Sequence, residues 1–270
     1  MSTSIILFPT RRSRTPSKAP RTALKLELLP VALRIGFDLD GVLADMGSAL
    51  RREEQRLFGT SHQPHEKVQV SEQEGPETDE SEVATGQVAA EITKHGLTAR
   101  EQRLLWRSIA DIENFWETLD EIEEGSVRSL AHVATERRWE VIFLTKRPGT
   151  AGFTSQYQSQ RWLERYGFPL PSVFVVTGSR GKIADALDLA VVVDDLPTNC
   201  IDVLSDSNAK AILVWRSRSE SVPASAKRLG IGVVSTMAEC LDVLAAMDDK
   251  LQRPTTMDRL KWALGLAARK

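Results

Sequence analysis

The chain has 270 residues, 41% of them apolar and 27% charged, which suits one substantial α/β core with a smaller unit attached. Its formal net charge of −2 gives no general nucleic-acid footprint, and its two cysteines, Cys200 and Cys240, give no disulfide framework. No apolar run approaches the roughly 20 residues that cross a bilayer, so the default expectation is a cytoplasmic protein with no membrane span.

Residues 1–30 carry Arg11, Arg12, Arg14, Lys18, Arg21 and Lys25 among Ser, Thr and Pro, with no acid before Glu27. Such a stretch reads as a flexible basic arm. It also has the composition of an organelle transit peptide, but Pro9, Pro16 and Pro20 oppose a long presequence helix. The apolar run 31–37 then predicts a fully buried parallel strand ending in Asp38. Leu43, Met46, Leu50 and Leu57 lie near one face of a helix over 42–58. From 62 to 91 the chain is rich in Glu, Ser, Gln and Gly, and this acidic stretch is expected to be a mobile insertion. A second helix is predicted from Thr98, its N-cap, through Leu104, Leu105, Ile109 and Ile112.

Beyond the adjacent aromatics Phe115 and Trp116, residues 139–144 predict a strand ending in Thr145. Pro148 is placed to open the next helix, expected over 150–166 with Trp162 and Leu163 on it. A strand over 172–177 leads to a helix over 179–187 that presents Lys182, and the run 190–193 predicts a strand ending in Asp194 and Asp195. Pro197-Thr198-Asn199 opens another helix, followed by strands over 211–215 and 231–234 and a helix over 237–251. In the tail, Met257, Leu260, Leu264 and Ala267 recur at helical spacing beside Arg259, Lys261, Arg269 and Lys270. The segment 251–270 therefore reads as a basic amphipathic helix that could dock on the core, a partner or an anionic surface, the core being the first expectation.

Three of these strands end abruptly in polar side chains, and in an open α/β sheet the carboxyl ends of the strands form the ligand crevice. Asp38, Asp40, Thr145, Lys182, Asp194 and Asp195 would converge there. Taken singly, an Asp after a strand is more often a turn former or helix cap. The set is different, because carboxylates held together repel one another unless a cation, a proton or a basic group compensates. An all-oxygen cluster suits a hard divalent ion, Mg²⁺ first, which keeps several waters and shares the other positions between carboxylates and a phosphate. Response-regulator receivers use similar residues in another order, with the acidic pair first. Gly178-Ser179-Arg180-Gly181-Lys182 lacks the spacing of a P-loop, and His62-x-x-His65 has no partner ligands at useful spacing.

Asp38-Leu39-Asp40-Gly41-Val42, Thr145, Lys182 and Asp194-Asp195, in this order, resemble the four motifs of the haloacid dehalogenase-like (HAD) phosphohydrolases. Residues 37–45 (FDLDGVLAD) and the Phe115-Trp116 pair just before 119–125 are most similar to the cytosolic 5′(3′)-deoxyribonucleotidases. The resemblance covers about 33–215. It implies a Rossmann-like core with a parallel sheet and helices on both faces, formed by 31–44 and 126–250, with a small helical cap over 45–125 inserted between the first and second motifs.

The resemblance also implies roles. Asp38 would be the nucleophile, forming an aspartyl-phosphate, and Asp40 the acid that protonates the leaving group and later activates water. Thr145 would hydrogen-bond the phosphoryl group and Lys182 would offset charge. Mg²⁺ would be held by Asp38, the Asp40 backbone carbonyl, Asp194 and, directly or through water, Asp195. Phe115 and Trp116 would line a base pocket, although ordinary cap-to-core packing explains them too. Lys146 and Arg147 stand where the nucleotidases have a small hydroxyl residue; they are either phosphate-directed cations or part of a solvated loop. The expected activity is Mg²⁺-dependent hydrolysis of a small phosphomonoester, a (deoxy)ribonucleoside monophosphate first and a sugar phosphate second. A noncatalytic HAD binding module is the rival outside enzymes.

Overall fold

The computed structural model describes residues 32–59, 97–217 and 221–252. The expected basic arm, the acidic stretch 62–91 with His62 and His65, and the tail 254–270 lie outside the described residues.

Six parallel strands form the sheet: β1 (Arg34–Asp38), β2 (Glu140–Thr145), β3 (Ser172–Val175), β4 (Val191–Asp194), β5 (Lys210–Val214) and β6 (Gly232–Val234), in the order β3-β2-β1-β4-β5-β6. The chain runs outward from β1 on one side and resumes with β4 on the other. The reversal between β1 and β4 is the switch point at which such sheets open a crevice. Register aligns the strand ends there: Asp38 pairs with Leu144, one residue short of Thr145, and Phe37 pairs with Val193, so Asp38 and Asp194 end neighbouring strands.

The strands alternate between two buried layers, as period-2 geometry requires of a sheet covered on both faces. Phe37, Phe143, Val191, Val193, Ile212 and Val214 face one side, against α3 (Ser126–Arg137), α4 (Ser155–Arg165) and α8 (Met237–Gln252). Leu144, Val192, Ala211 and Leu213 face the other, against α5 (Arg180–Ala186), α6 (Pro197–Asp206) and α7 (Ala224–Arg228). Each fully buried Val, Leu or Phe contributes on the order of 1.5–3 kcal/mol, so this double layer is the main support of the strand ends. Cys200 and Cys240 are buried free thiols within it, and burial pushes the Cys240 thiol up to about 12. None of the helices among the described residues is long and apolar enough to cross a membrane.

Between β1 and α3 lie α1 (Met46–Phe58), α2 (Ala99–Ala110) and a 3₁₀ turn (Phe115–Glu117). Thr98 caps α2, as the sequence predicts, and does so through a reciprocal capping box with Glu101. Met46, Leu50, Leu105 and Ile109 pack into the same apolar cluster as Phe37. Helix α1 starts at Met46 rather than at 42, because 40–45 form a tight turn in which Leu43 and Ala44 N–H groups bond the Leu39 carbonyl and Asp45 caps Ser48. Pro148 opens no helix: α4 starts at Ser155, after Ala151 and Asn114 have tied the preceding loop to the end of α2. Helix α3 has no side chain at its N-cap, Gly125; the Glu121 carboxylate accepts the Gly125 and Val127 N–H groups instead.

Candidate active site

At the β1/β4 switch point the carboxylates of Asp38, Asp194 and Asp195 each offer an oxygen within 4.8 Å of the others. Asp38 and Asp194 are fully buried. Asp194 is held from several directions: Oδ1 accepts the Leu196 N–H at 2.9 Å, and Asn199 Nδ2 lies 3.0 Å from both oxygens. Asp195 is set by the turn after β1. Gly41 has φ +83°, and a β-carbon on it would stand 2.1 Å from Asp195 Oδ2, so only glycine lets the Asp40-Gly41 turn lie against that carboxylate.

The cation inside the cluster is Arg180. Its side chain is fully buried, Nη2 bonds Asp38 Oδ1, and Nε lies 3.4 Å from Asp194 Oδ2. Lys182, expected in this role, is exposed. Ser179 caps α5, which puts Arg180 at its first position facing the carboxylates; two residues on, a helix has turned by about 200°, so Lys182 leaves on the far side. The sequence does carry a signal for this: Arg180 shares a helical face with Ile183, Ala184 and Leu187, and Lys182 does not. Gly181 allows the approach, since a β-carbon there would stand 2.1 Å from the Asp202 carbonyl on α6.

Burial pushes the Asp38 carboxyl well above the ordinary range; Arg180 opposes this, and Asp194, Asp195 and Asp40 add to it. Burial also raises Asp194, against Arg180, the Leu196 N–H, Asn199 and Lys146. The excess negative charge calls for a further cation or protons. A hard divalent ion fits this all-oxygen donor set, with Asp38, Asp194 and Asp195 as its carboxylate holders.

Asp40 is not among those carboxylates. Its side chain turns to Arg147, whose Nε lies 2.9 Å from Oδ2 and whose Nη2 lies 2.8 Å from Oδ1. Thr145, buried at the end of β2, donates its hydroxyl to Asp40 Oδ2 at 3.4 Å and accepts the Arg147 N–H at 3.3 Å. Arg147 is neither a solvated loop residue nor an open phosphate-directed cation; its side chain is wholly buried over Trp116 and Trp162. Lys146, beside it, is half-buried with its charge acting on Asp194.

Phe115 and Trp116 are interior residues, with Trp116 fully buried. The Trp116 indole N–H bonds the Pro148 carbonyl at 2.9 Å, and its ring packs on Trp106, Phe115 and Arg147. They form cap-to-core packing and offer no open platform for a base. Asn199, Arg180 and Arg216 stand in or against the candidate site although the strand-end pattern did not single them out. Arg216, just beyond β5, donates to the Gly41 carbonyl at 2.7 Å and the Val42 carbonyl at 3.0 Å while paired to Glu123 at 2.6 Å.

No family model and no curated sequence matches the chain. Solved structures similar to it include a haloacid dehalogenase-like family hydrolase from Xanthomonas campestris, at 15% identity and TM-score 0.46 over 83% of this chain and 99% of that one. A HAD family hydrolase from Deinococcus radiodurans with bound phosphate and sodium aligns at 16% identity and TM-score 0.47 over 84% of this chain and 100% of that one. A phosphonoacetaldehyde hydrolase-like protein from Oleispira antarctica aligns at 14% identity and TM-score 0.47, over 84% and 95%.

Proposed function

We propose that this protein is a Mg²⁺-dependent phosphomonoester hydrolase of the HAD type. The observation that carries the proposal is the meeting of Asp38, Asp194 and Asp195 around buried Arg180 at the sheet's switch point. An Asp38 oxygen attacks phosphorus; the new O–P bond forms as the bond to the alkoxide breaks, and Asp40 delivers a proton to the departing oxygen. Water, deprotonated by Asp40, then attacks the aspartyl-phosphate, releasing phosphate and restoring Asp38. Arg180 offsets charge on Asp38; the Thr145 hydroxyl, whose one proton goes to Asp40 in the free site, turns it to a phosphoryl oxygen when the ester is bound. Bound to the carboxylates, Mg²⁺ supplies charge neutralisation for the phosphoryl group.

A small phosphate ester is the substrate class. The likeness of 37–45 to the deoxyribonucleotidases favours a nucleoside monophosphate, while burial of Trp116 removes the stacking contact that would have strengthened that choice. Phosphate release should be measured from a panel of 5′- and 3′-nucleotides, sugar phosphates and p-nitrophenyl phosphate, with Mg²⁺ and with EDTA. Metal-dependent release from at least one ester, lost in Asp38→Asn with its melting transition retained, is the expected result. Inertness of the wild type on the whole panel with Mg²⁺, or activity surviving in Asp38→Asn, would reject the function.

A further inference from the structure

We propose that Arg147 is a positioning residue that aims the Asp40 carboxyl at the leaving group. The inference rests on the hydrolase reading above and names a residue that acts through Asp40 without touching substrate. Asp40 follows β1 on the turn closed by Gly41, where a short carboxyl side chain can rotate about its own bonds. The Arg147 fork removes that freedom, with Nε at 3.1 and 2.9 Å from the two oxygens and Nη2 at 2.8 Å from Oδ1. A fork of this kind fixes the plane of the carboxyl as well as its distance.

The fork is itself held. Nη1 donates to Ser159 Oγ at 3.0 Å, and the Ser159 hydroxyl donates to the Ser155 carbonyl at 2.7 Å, so its lone pair stays turned to the guanidinium. The rings of Trp116 and Trp162 lie 5.0 and 5.8 Å from the guanidinium carbon, from the 3₁₀ turn and from α4 respectively. Orientation is thus transmitted from two separate elements to one carboxyl. The two oxygens offer about four lone-pair sites; the Nε–H shared between them and the Nη2–H take one on each, the Thr145 hydroxyl takes a third, and the fourth is left to hold the proton that Asp40 donates to the leaving oxygen. A buried ion pair kept only for stability would need none of this aim, and replacing it by apolar residues is often neutral.

The test compares a substrate that needs a proton donor with one that does not. An alkyl phosphate monoester must have its leaving oxygen protonated, whereas p-nitrophenolate departs as an anion. Comparing the two through kcat/KM, which reports steps up to formation of the aspartyl-phosphate, within one enzyme preparation cancels any difference in folded fraction.

Arg147→Lys keeps the charge and loses the fork. It should lower kcat/KM for the alkyl ester that wild type hydrolyses best by about 10²-fold, within the usual general-acid contribution, and for p-nitrophenyl phosphate by less than about tenfold. Asp40→Asn should show the same selectivity, and combining it with Arg147→Lys should add little. Equal losses on both esters, or a loss confined to KM, would overturn the proposal and leave Arg147 structural. Should Arg147→Lys lack a cooperative melt, Ser159→Ala, which removes the Nη1 acceptor, should shift the ratio in the same direction by several-fold, and an unchanged ratio would overturn it. A wild type inactive on both esters would instead sink the hydrolase reading, and this inference with it.

Discussion

Asp195 Oδ2 occupies the space into which a side chain on Gly41 would grow, 2.1 Å from where its β-carbon would lie. The turn carrying Asp40 and the carboxylate closing the acidic cluster are therefore mutually exclusive with any larger residue at 41. Gly41→Ala should move Asp195 out of the cluster and add backbone strain of order 1–3 kcal/mol at φ +83°. The expected outcome is at least about tenfold weaker Mg²⁺ binding by calorimetry, equivalent to roughly 1.4 kcal/mol, with a lowered melting temperature. Unchanged affinity would show that Asp195 plays no part in holding the ion.

Arg180 and Lys182 make opposite predictions although they stand two residues apart. Arg180→Met leaves buried Asp38 and Asp194 without the guanidinium between them, and should cut kcat on the order of 10²- to 10³-fold, as loss of one preorganised charge-stabilising group does elsewhere. Lys182→Ala should stay within about threefold of wild type, since a surface substitution usually shifts energies by no more than about 0.5 kcal/mol. The reverse result in steady-state assays would return the role to Lys182.

What was legible in the sequence was what the backbone period writes directly. Buried parallel strands are continuous apolar runs, so their abrupt ends at Asp38, Thr145 and Asp194 marked both the elements and the edge at which they meet. Thr98 was readable because its capping box is local. Arg147 was not, because its partner Asp40 is remote in sequence and an Arg beside a Lys and a Pro reads equally as loop. Helix α3 escaped for a similar reason, its cap being supplied from Glu121 rather than from the N-cap residue. The choice of Trp116 as interior packing was made by Trp106, Arg147 and the Pro148 carbonyl, all set by tertiary contact.

The α1–α2 contact should be pH-dependent. Glu53 on α1 accepts from Arg56 at 2.8 Å and from Ser108 of α2 at 2.5 Å; the bonds from Arg56 hold its carboxyl below the ordinary range, against the effect of burial and with help from Ser108. A depressed folded-state value means that the stabilisation is present above the unfolded value and is lost as pH falls through the folded one. Glu53→Gln should therefore cost about 1 kcal/mol at neutral pH. The gap between the two proteins should close as the pH drops below about 4, near and under the free glutamate value. Denaturant unfolding at pH 7 and at about pH 3 would check this, and a gap that widens on acidification would contradict the sign.

Arg216 extends the site's support to the far end of the sheet. It joins the Gly41 and Val42 carbonyls to Glu123, which in turn accepts the Met237 N–H at the start of α8 at 3.0 and 3.1 Å. One guanidinium thus fastens the turn bearing Asp40 to the loop before α3 and, through Glu123, to α8. Arg216→Met removes charge-assisted bonds to two carbonyls and leaves Glu123 with the Met237 N–H alone among these partners, a loss on the order of 2–4 kcal/mol. For a chain of this size that corresponds to a melting temperature lower by roughly 4–16 °C. Because the released turn carries Asp40, kcat on an alkyl phosphate should fall as well, by about tenfold or more, although Arg216 contacts neither Asp38 nor the metal-holding carboxylates directly. Thermal unfolding and steady-state assays on the same preparation separate the two effects: a variant that melts early yet turns over at the wild-type rate below its transition would show that Arg216 supports the fold without tuning the site.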